Sequence, residues 1–196
     1  MRQRHLEMML EKLSGFRIPD PLKEQYSTPA TVAAELLHFA FMRGDLTDTV
    51  YDLGCGGGIL AIGAKLLGAE KVIGFDEDSY ALEIARANAE KLGVKVEFEC
   101  CSINDVHGKA HTVVMNPPFG AQVKGSDRPF LRKALELSSV VYSIHNAGSM
   151  EFIKKFISPA VITDHRMIDF PIKRTFRFHT KEVQVIKVEI YRIEKR

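Results

Sequence analysis

Asn116-Pro117-Pro118-Phe119 closes a run of β-branched and apolar residues in the stretch VVMNPPFG, residues 113–120. Two prolines are a poor way to continue a sheet, because neither has the backbone N–H that a ladder needs. What the tetrapeptide offers is acceptors. Consecutive prolines expose carbonyl oxygens with no N–H between them, and Asn116 adds a side-chain carbonyl, which together make a cradle for an amino group. An amine conjugated to an aromatic ring keeps its lone pair in the ring, and two acceptors on its hydrogens turn that pair toward an electrophilic methyl. Phe119 offers a face on which a planar base can stack, worth about 1–3 kcal/mol. No general base is needed, because the amine becomes acidic only as it gains the methyl group. Positioning and desolvation of the two reactants carry the rate. On its own, the tetrapeptide would also serve as a strand terminator with Phe119 in the core.

A second constellation lies upstream. YDLGCGGG, residues 51–58, ends a short apolar strand and runs into a helix. Glycines at such a turn let the backbone pass close to a ligand, and the helix start supplies unpaired N–H groups. A dinucleotide-binding G-x-G-x-x-G counted from Gly54 and Gly56 needs a third glycine at position 59, which is Ile59. Asp52, just before the loop, would repel a pyrophosphate but suits an ammonium group, such as that of the methionine portion of S-adenosylmethionine. Asp76 ends the next strand, where a carboxylate accepts hydrogen bonds from both ribose hydroxyls. The implied ligand is a nucleoside carrying a cation. A tight turn with two capping acids is the plain alternative, and it leaves the joint placement of glycines and acids unexplained.

Elements that alternate between strand and helix must position these residues. Residues 3–14 predict an amphipathic helix with Leu6, Met9, Leu10 and Leu13 on one face. GFRIPDP breaks it, and Thr28-Pro29 reads as an N-cap followed by proline at the first position of a helix running to about Phe41. Then come strand TVYDL, helix GGILAIGAKLLG, strand KVIGFD, and helix SYALEIARANAEKLG closing on Gly93. VKVEFECC and HTVVMN read as strands, RPFLRKALELS as a helix and VVYSIH as a strand. Such alternation means βαβ units and a parallel sheet with helices on both faces. The tail differs: AVITDHRMIDF and VQVIKVEIYRI are long alternating strands joined by the basic loop PIKRTFRFHTK, so the doubly wound α/β sheet ends in an antiparallel hairpin.

The totals suit this reading. The 196 residues, 45% hydrophobic and 27% charged with a formal net charge of +2, fit one globular domain and exclude a disordered or uniformly basic chain. No apolar run is long enough to span a bilayer, and MRQRHLEMMLEKL carries charges through its apolar positions, unlike a signal peptide. A cytoplasmic protein is expected. Cys55, Cys100 and Cys101 cannot make a disulfide framework, and no Cys/His spacing resembles a metal site.

DLGCGGG with GFDED resembles the class I S-adenosylmethionine-dependent methyltransferases, and NPPF resembles their amino-methylating branch, which acts on adenine N6, cytosine N4 or glutamine amides. The chain as a whole is similar to a narrower group, the methyltransferase-like protein 5 family and its archaeal relatives, small enzymes that make N6-methyladenosine in small-subunit ribosomal RNA. The matching stretches are EQYST, DLGCGGGILAIGAKLLGA, GFDEDSYALEIARANA, VVMNPPFG, KGSDRPFLRKALE, VYSIH and FRFHTKEV, of which VYSIH and FRFHTK are the more specific.

The resemblance implies a Rossmann-like, seven-stranded, mostly parallel sheet in a single domain, residues 1–196, with residues 1–43 as a helical extension covering the cofactor site. By position, it implies that Gln25, Tyr26 and Thr28 close over the methionine end of S-adenosylmethionine. Asp52, Gly54 and Gly56 form the loop, Asp76 holds the ribose, and Asn116, Pro117, Pro118 and Phe119 hold the target adenine, with Asn116 bordering the cofactor as well. Relatives often carry an acid after the third strand to contact the cofactor's adenine amine. Here CCSIND places Ser102 there, with Asn104 or Asp105 as substitutes.

Two further surfaces follow. In PIKRTFRFHTK, Lys173, Arg174, Arg177, His179 and Lys181 alternate with Phe176 and Phe178, a pattern suited to phosphates and unstacked bases of RNA. The third strand, residues 94–101, should lie at a sheet edge, with Val94, Val96, Phe98 and Cys100 on one face and Lys95, Glu97 and Glu99 on the other. The family implies a small zinc-binding activator protein, which such an edge could accept as an added strand. Two rival readings are a protein glutamine-amide methyltransferase and a catalytically silent nucleoside- or RNA-binding module.

Overall fold

The β-rich core is built outward from TVYDL. In the computed structural model, which describes residues 1–15, 27–119, 125–173 and 183–195, this segment is β1 (Thr49–Leu53), with every residue after Thr49 buried. It pairs in parallel with β2 (Lys71–Asp76) on one side and β4 (Ala110–Met115) on the other. Near-continuous apolar strands of this kind need cover on both faces. Helices α2 (Ala30–Met42) and α3 (Ile59–Leu66) supply one layer, backed by α1 (Gln3–Leu10), and their Leu36, Leu37, Ala61 and Ile62 meet Val114, Tyr142 and Ile144 of the sheet. On the other face Leu131 and Ala134 of α5 (Arg128–Leu137) and Ile153 and Ile157 of α6 (Met150–Ile157) meet Leu53, Met115 and Tyr191. Full burial of one such aliphatic side chain contributes about 1.5–3 kcal/mol.

The sheet has seven strands in the order β3-β2-β1-β4-β5-β7-β6. Strands β3 (Glu97–Cys100), β2, β1, β4 and β5 (Ser138–Asn146) are parallel; β7 (Val183–Glu194) runs antiparallel to both β5 and β6 (Val161–Lys173). This is the Rossmann-like arrangement with a terminal antiparallel hairpin. Between β1 and β4 the direction of winding reverses, and a crevice at such a switch point, beyond the strands' carboxyl ends, is where open α/β sheets hold ligands.

Three expectations need correction. α6 follows β5 in a stretch that carries no element in the sequence reading. Its Met150, Ile153, Phe156 and Ile157 face the core, and β6 runs parallel to β5, which demands a crossover of this kind. β3 is shorter than residues 94–101, and its Cys100 is exposed while Val94, Val96 and Phe98 are half-buried. Thr28 does not cap α2: Pro29 occupies the N-cap with no side-chain bond, because the Thr28 hydroxyl is engaged elsewhere. Among the described residues, no helix is long and apolar enough to cross a membrane.

A buried polar brace ties the end of α2 to the hairpin. Arg192 of β7 approaches both oxygens of Asp45, at 2.8 and 3.2 Å, and the Tyr142 hydroxyl donates to Asp45 Oδ2 at 2.5 Å. Thr112 of β4 donates to the Asp45 carbonyl at 2.6 Å. Burial, reinforced by that carboxylate, pushes the Tyr142 phenol well above its ordinary range.

Candidate functional site

β4 ends at the switch point and delivers Asn116. Its side-chain amide nitrogen donates to Thr28 Oγ1 at 2.9 Å, immediately before α2. That bond fixes the orientation of the amide and leaves Oδ1 pointing the other way, buried and without a hydrogen-bond partner among the described residues. An orphaned buried acceptor costs about 1–3 kcal/mol, which a donor from a ligand would relieve. Pro117 is buried and Pro118 half-buried. Phe119 is half-buried and meets Phe170 of β6 edge-to-face, with ring centroids 5.7 Å apart. The tetrapeptide is therefore held from two sides, by α2's entry at Thr28 and by the hairpin at Phe170.

The glycine loop lies one strand away. Gly54, Gly56 and Gly58 have φ of 69°, 50° and 81°, a region costly for other residues. At Gly54 an added Cβ would also fall 2.9 Å from Phe130 Cε1 of α5. The Gly54 and Cys55 N–H groups donate to the Phe75 carbonyl, and the Gly56 N–H donates to Asp76 Oδ2 at 2.8 Å. Asp76 Oδ1 accepts from the Asp78 N–H at 2.9 Å. Each Asp76 oxygen keeps a second acceptor direction. Burial raises the Asp76 carboxyl above its usual range, against the pull of the Asp78 and Gly56 N–H groups.

Asp52 is 1% exposed. Its Oδ2 accepts from the Ala61 N–H of α3 at 2.9 Å, while Oδ1 is a second buried oxygen with no partner among the described residues. Burial pushes its carboxyl up to about 8, with the Ala61 N–H opposing and Asp76 adding to the shift. A cationic group from a ligand would fill the vacant lone pair and return the carboxylate to its charged form. The donor set thus fits a nucleoside bearing an ammonium group.

Ser102 follows β3, N-caps the short 3-10 turn Ile103–Asp105, and accepts from the Asn104 N–H at 3.4 Å; its hydroxyl proton stays available for donation. Gln25 and Tyr26 lie outside the described residues. So do Arg174, Arg177, His179 and Lys181 with Phe176 and Phe178, and Lys173 is described only as the last backbone pair of β6, opposite Val183. The hairpin's direction is nonetheless informative. β6 runs parallel to β5, so the end that leads into this loop lies on the carboxyl side of the central strands. There β7 continues from Val188, opposite Asn146, for five residues to Val183, about 17 Å at the usual rise.

The sequence reading passed over two site residues. Asn88 of α4 (Ser79–Lys91) is 2% exposed and clamps the glycine loop to the amino-terminal segment: its Nδ2 donates to the Gly57 and Ser14 carbonyls at 2.9 and 3.0 Å, and its Oδ1 accepts from the Ser14 N–H at 2.9 Å. The signal was an asparagine on the apolar stripe of Ala81, Leu82, Ala85 and Ala89. His145, 3% exposed, bridges Ser143 at 2.7 Å and Asp127 at 3.5 Å. The His145 contact holds the Asp127 carboxyl below its usual range. Ser143 pairs with Met115, so this bridge ties the start of α5 to the strand beside Asn116.

Comparison with known proteins follows the same division. The family model of the ribosomal protein L11 methyltransferase (PrmA) matches residues 36–117, the glycine-loop half of the chain. Other relatives match throughout. The uncharacterized protein MJ0284 of Methanocaldococcus jannaschii is 41% identical over 209 residues, covering 100% of this chain and 95% of its own. The rRNA N(6)-adenosine-methyltransferase METTL5 of Danio rerio is 35% identical over 206 residues, covering 98% of each. The crystal structure of PH1948 from Pyrococcus horikoshii superposes with a TM-score of 0.93 at 40% identity, over 100% of this chain and 98% of that one.

Proposed function

The chain belongs to the METTL5 family, and from that premise we infer that it transfers a methyl group to the N6 amine of an adenosine in structured RNA, small-subunit ribosomal RNA in particular. The observation that carries this reading is the Asn116 amide. Its nitrogen is tied to Thr28 and its oxygen is buried and vacant, so it can only accept from the incoming group. An exocyclic amine presents two hydrogens, one for Asn116 Oδ1 and one for a carbonyl of the Pro117-Pro118 pair. Both bonds hold the amine's lone pair clear of them, aimed across the crevice. Phe119 borders the base.

S-adenosylmethionine, when bound, supplies an electrophilic methyl on a sulfonium. Asp52 Oδ1 would take its ammonium group, the Gly54–Gly58 backbone would let it approach, and Asp76 would accept from the ribose, with Ser102 beside the adenine. Forming the nitrogen–carbon bond would break the methyl's bond to the sulfonium, and that bond's electron pair would leave with sulfur as a neutral thioether. The methylated amine, now acidic, would give its proton to water, so no side chain need act as base. We place residues 1–43 over the cofactor side of this site, a placement supported by the Asn88 clamp on Ser14. The basic loop 173–181 would take RNA phosphates next to Phe119. A small zinc-binding activator would add a strand to β3, which is a sheet edge with Glu97 and Glu99 exposed. Action in the cytoplasm belongs to the same reading.

The match of residues 36–117 to a ribosomal protein methyltransferase favours a second reading, methylation of a protein amine or amide. That match stops at Pro117, before the α5–β5 region and the hairpin, whereas the full-length relatives align through both. The test is transfer of labelled methyl from S-adenosylmethionine to separated ribosomal RNAs, to DNA, and to ribosomal and release-factor-like proteins. Label in N6-methyladenosine of the small-subunit RNA is the expected result, and label only in protein would overturn the reading.

A further inference from the structure

Arg128 opens α5, and its position is fixed by two contacts that the chemistry above does not use. Its guanidinium carbon sits 5.2 Å from the centre of the Phe152 ring of α6. Its stem lies against Gly125, where an added Cβ would come within 3.0 Å of Nε and 3.2 Å of Cδ. Gly125 is nine residues beyond Asn116 in the chain. Two residues along the same helical turn, Phe130 points the opposite way and closes on Gly54. The first turn of α5 therefore connects the glycine loop on its inner side to Arg128 and Phe152 on its outer side. It is anchored there by Asp127, whose carboxylate contacts buried His145 at 3.5 Å and is attracted more weakly by Arg128.

Isolated exposed apolar residues are ordinary. Phe152 differs because, at 41% exposed, it carries a cation packed against Gly125, and because Phe156 lies beside it with ring centroids 5.8 Å apart. Arg132, one turn along α5, and Lys155 on α6 are exposed on these two helices. A guanidinium plane, an aromatic ring and flanking cations make a surface suited to an unstacked nucleotide. We propose that Arg128 and Phe152 form a subsite for a nucleotide flanking the target adenosine, the guanidinium taking its phosphate and the exposed ring stacking its base. The occupant is single-stranded RNA, and the assignment rests on the adenosine-methylation reading for its place beside the reacting base.

The experiment is fluorescence anisotropy of the full chain with an end-labelled single-stranded RNA containing one adenosine, at a series of salt concentrations, with cofactor affinity measured alongside. Phe152→Ala and Arg128→Gln should each weaken RNA binding roughly five- to hundredfold, the range expected for a lost stack. Arg128→Gln should also flatten the log–log salt slope by about 0.7, the share of one phosphate on a single strand. Arg128→Lys should restore the slope but not the full affinity, and Phe152→Leu, which keeps the apolar contact with Phe156, should remain weak. Unchanged cofactor affinity in all four shows that the fold is intact. If Phe152→Ala and Arg128→Gln bind RNA as the parent does, the subsite is refuted. If the parent binds RNA in this Arg128-dependent way while the transfer assay on separated ribosomal RNAs gives no N6-methyladenosine, the methylation reading falls and the subsite stands.

Discussion

The proposed pairing of Asp52 with the cofactor's ammonium group predicts a cofactor affinity that depends on pH. The Asp52 carboxyl is 1% exposed, one oxygen is satisfied only by the Ala61 N–H, and burial lifts it to about 8. At pH 7 about nine-tenths of the ligand-free protein therefore carries a neutral Asp52, which must lose its proton before it can pair with an ammonium group. The free ligand's own α-amino group titrates near 7.7–8.0 and limits the alkaline side. Multiplying the two charged fractions gives an affinity that falls about eightfold from pH 7 to pH 6, with a net release of about 0.8 proton on binding at pH 7. Isothermal titration in buffers of different ionisation enthalpy reads that number directly. Asp52→Asn should bind more weakly at pH 8 and show no loss between pH 7 and 6. The sign for stability is opposite to that of an ordinary salt-bridged carboxylate. The folded value lies above the unfolded one of 3.8, so stability of the ligand-free protein is full below about pH 4 and is lost as pH rises toward 8. At pH 7 Asp52→Asn should thus be more stable than the parent by up to about 4 kcal/mol, seen as a higher midpoint in urea. A parent whose cofactor affinity is flat from pH 6 to 7, with under ~0.2 proton released at pH 7, would refute the reasoning.

Asn116→Ala should lower kcat at least about a hundredfold with cofactor affinity nearly unchanged, and Thr28→Val, which frees the amide to rotate, should lower kcat by a smaller factor. Asp76→Ala should do the reverse and weaken cofactor binding first, as measured by titration. Reversing charge at Arg174 and Arg177 together should weaken RNA binding and reduce its salt slope by about 1.4 or more, without altering cofactor affinity; an unchanged slope would assign that loop to structure. Proline at Glu97 should abolish co-purification of an activator through β3 while the isolated chain keeps its melting temperature.

The sheet was legible because its signals are local. Runs such as TVYDL and KVIGFD match β1 and β2 residue for residue, since buried parallel strands are short apolar segments bounded by glycine and turn residues. The strand end at Asn116 was equally plain, as proline removes the donors that would extend the ladder. α6 was not, because a helix of only eight residues competes poorly with the long alternating strand that follows. Missing α6 also hid Arg128's partner, Phe152, so the outer side of the first turn of α5 had no surface to be read from.

What escaped at the site depends on contacts between residues far apart in the chain. Thr28 before Pro29 has every local mark of an N-cap, yet its hydroxyl serves a residue 88 positions away. Asn116 is half-buried, and its amide nitrogen takes the Thr28 hydroxyl as its acceptor, while Pro29 stands at the N-cap with no side-chain bond. Asn88 and His145 follow the same rule: each is a polar group on an apolar face, each is held by partners from other elements, and each ties a loop of the site to the framework. A buried polar side chain on the core stripe of an element that ends at the crevice is thus the feature by which the supporting residues of this site could have been found from sequence. The pattern separates them from the exposed polar residues of the same helices, which no enclosed partner requires.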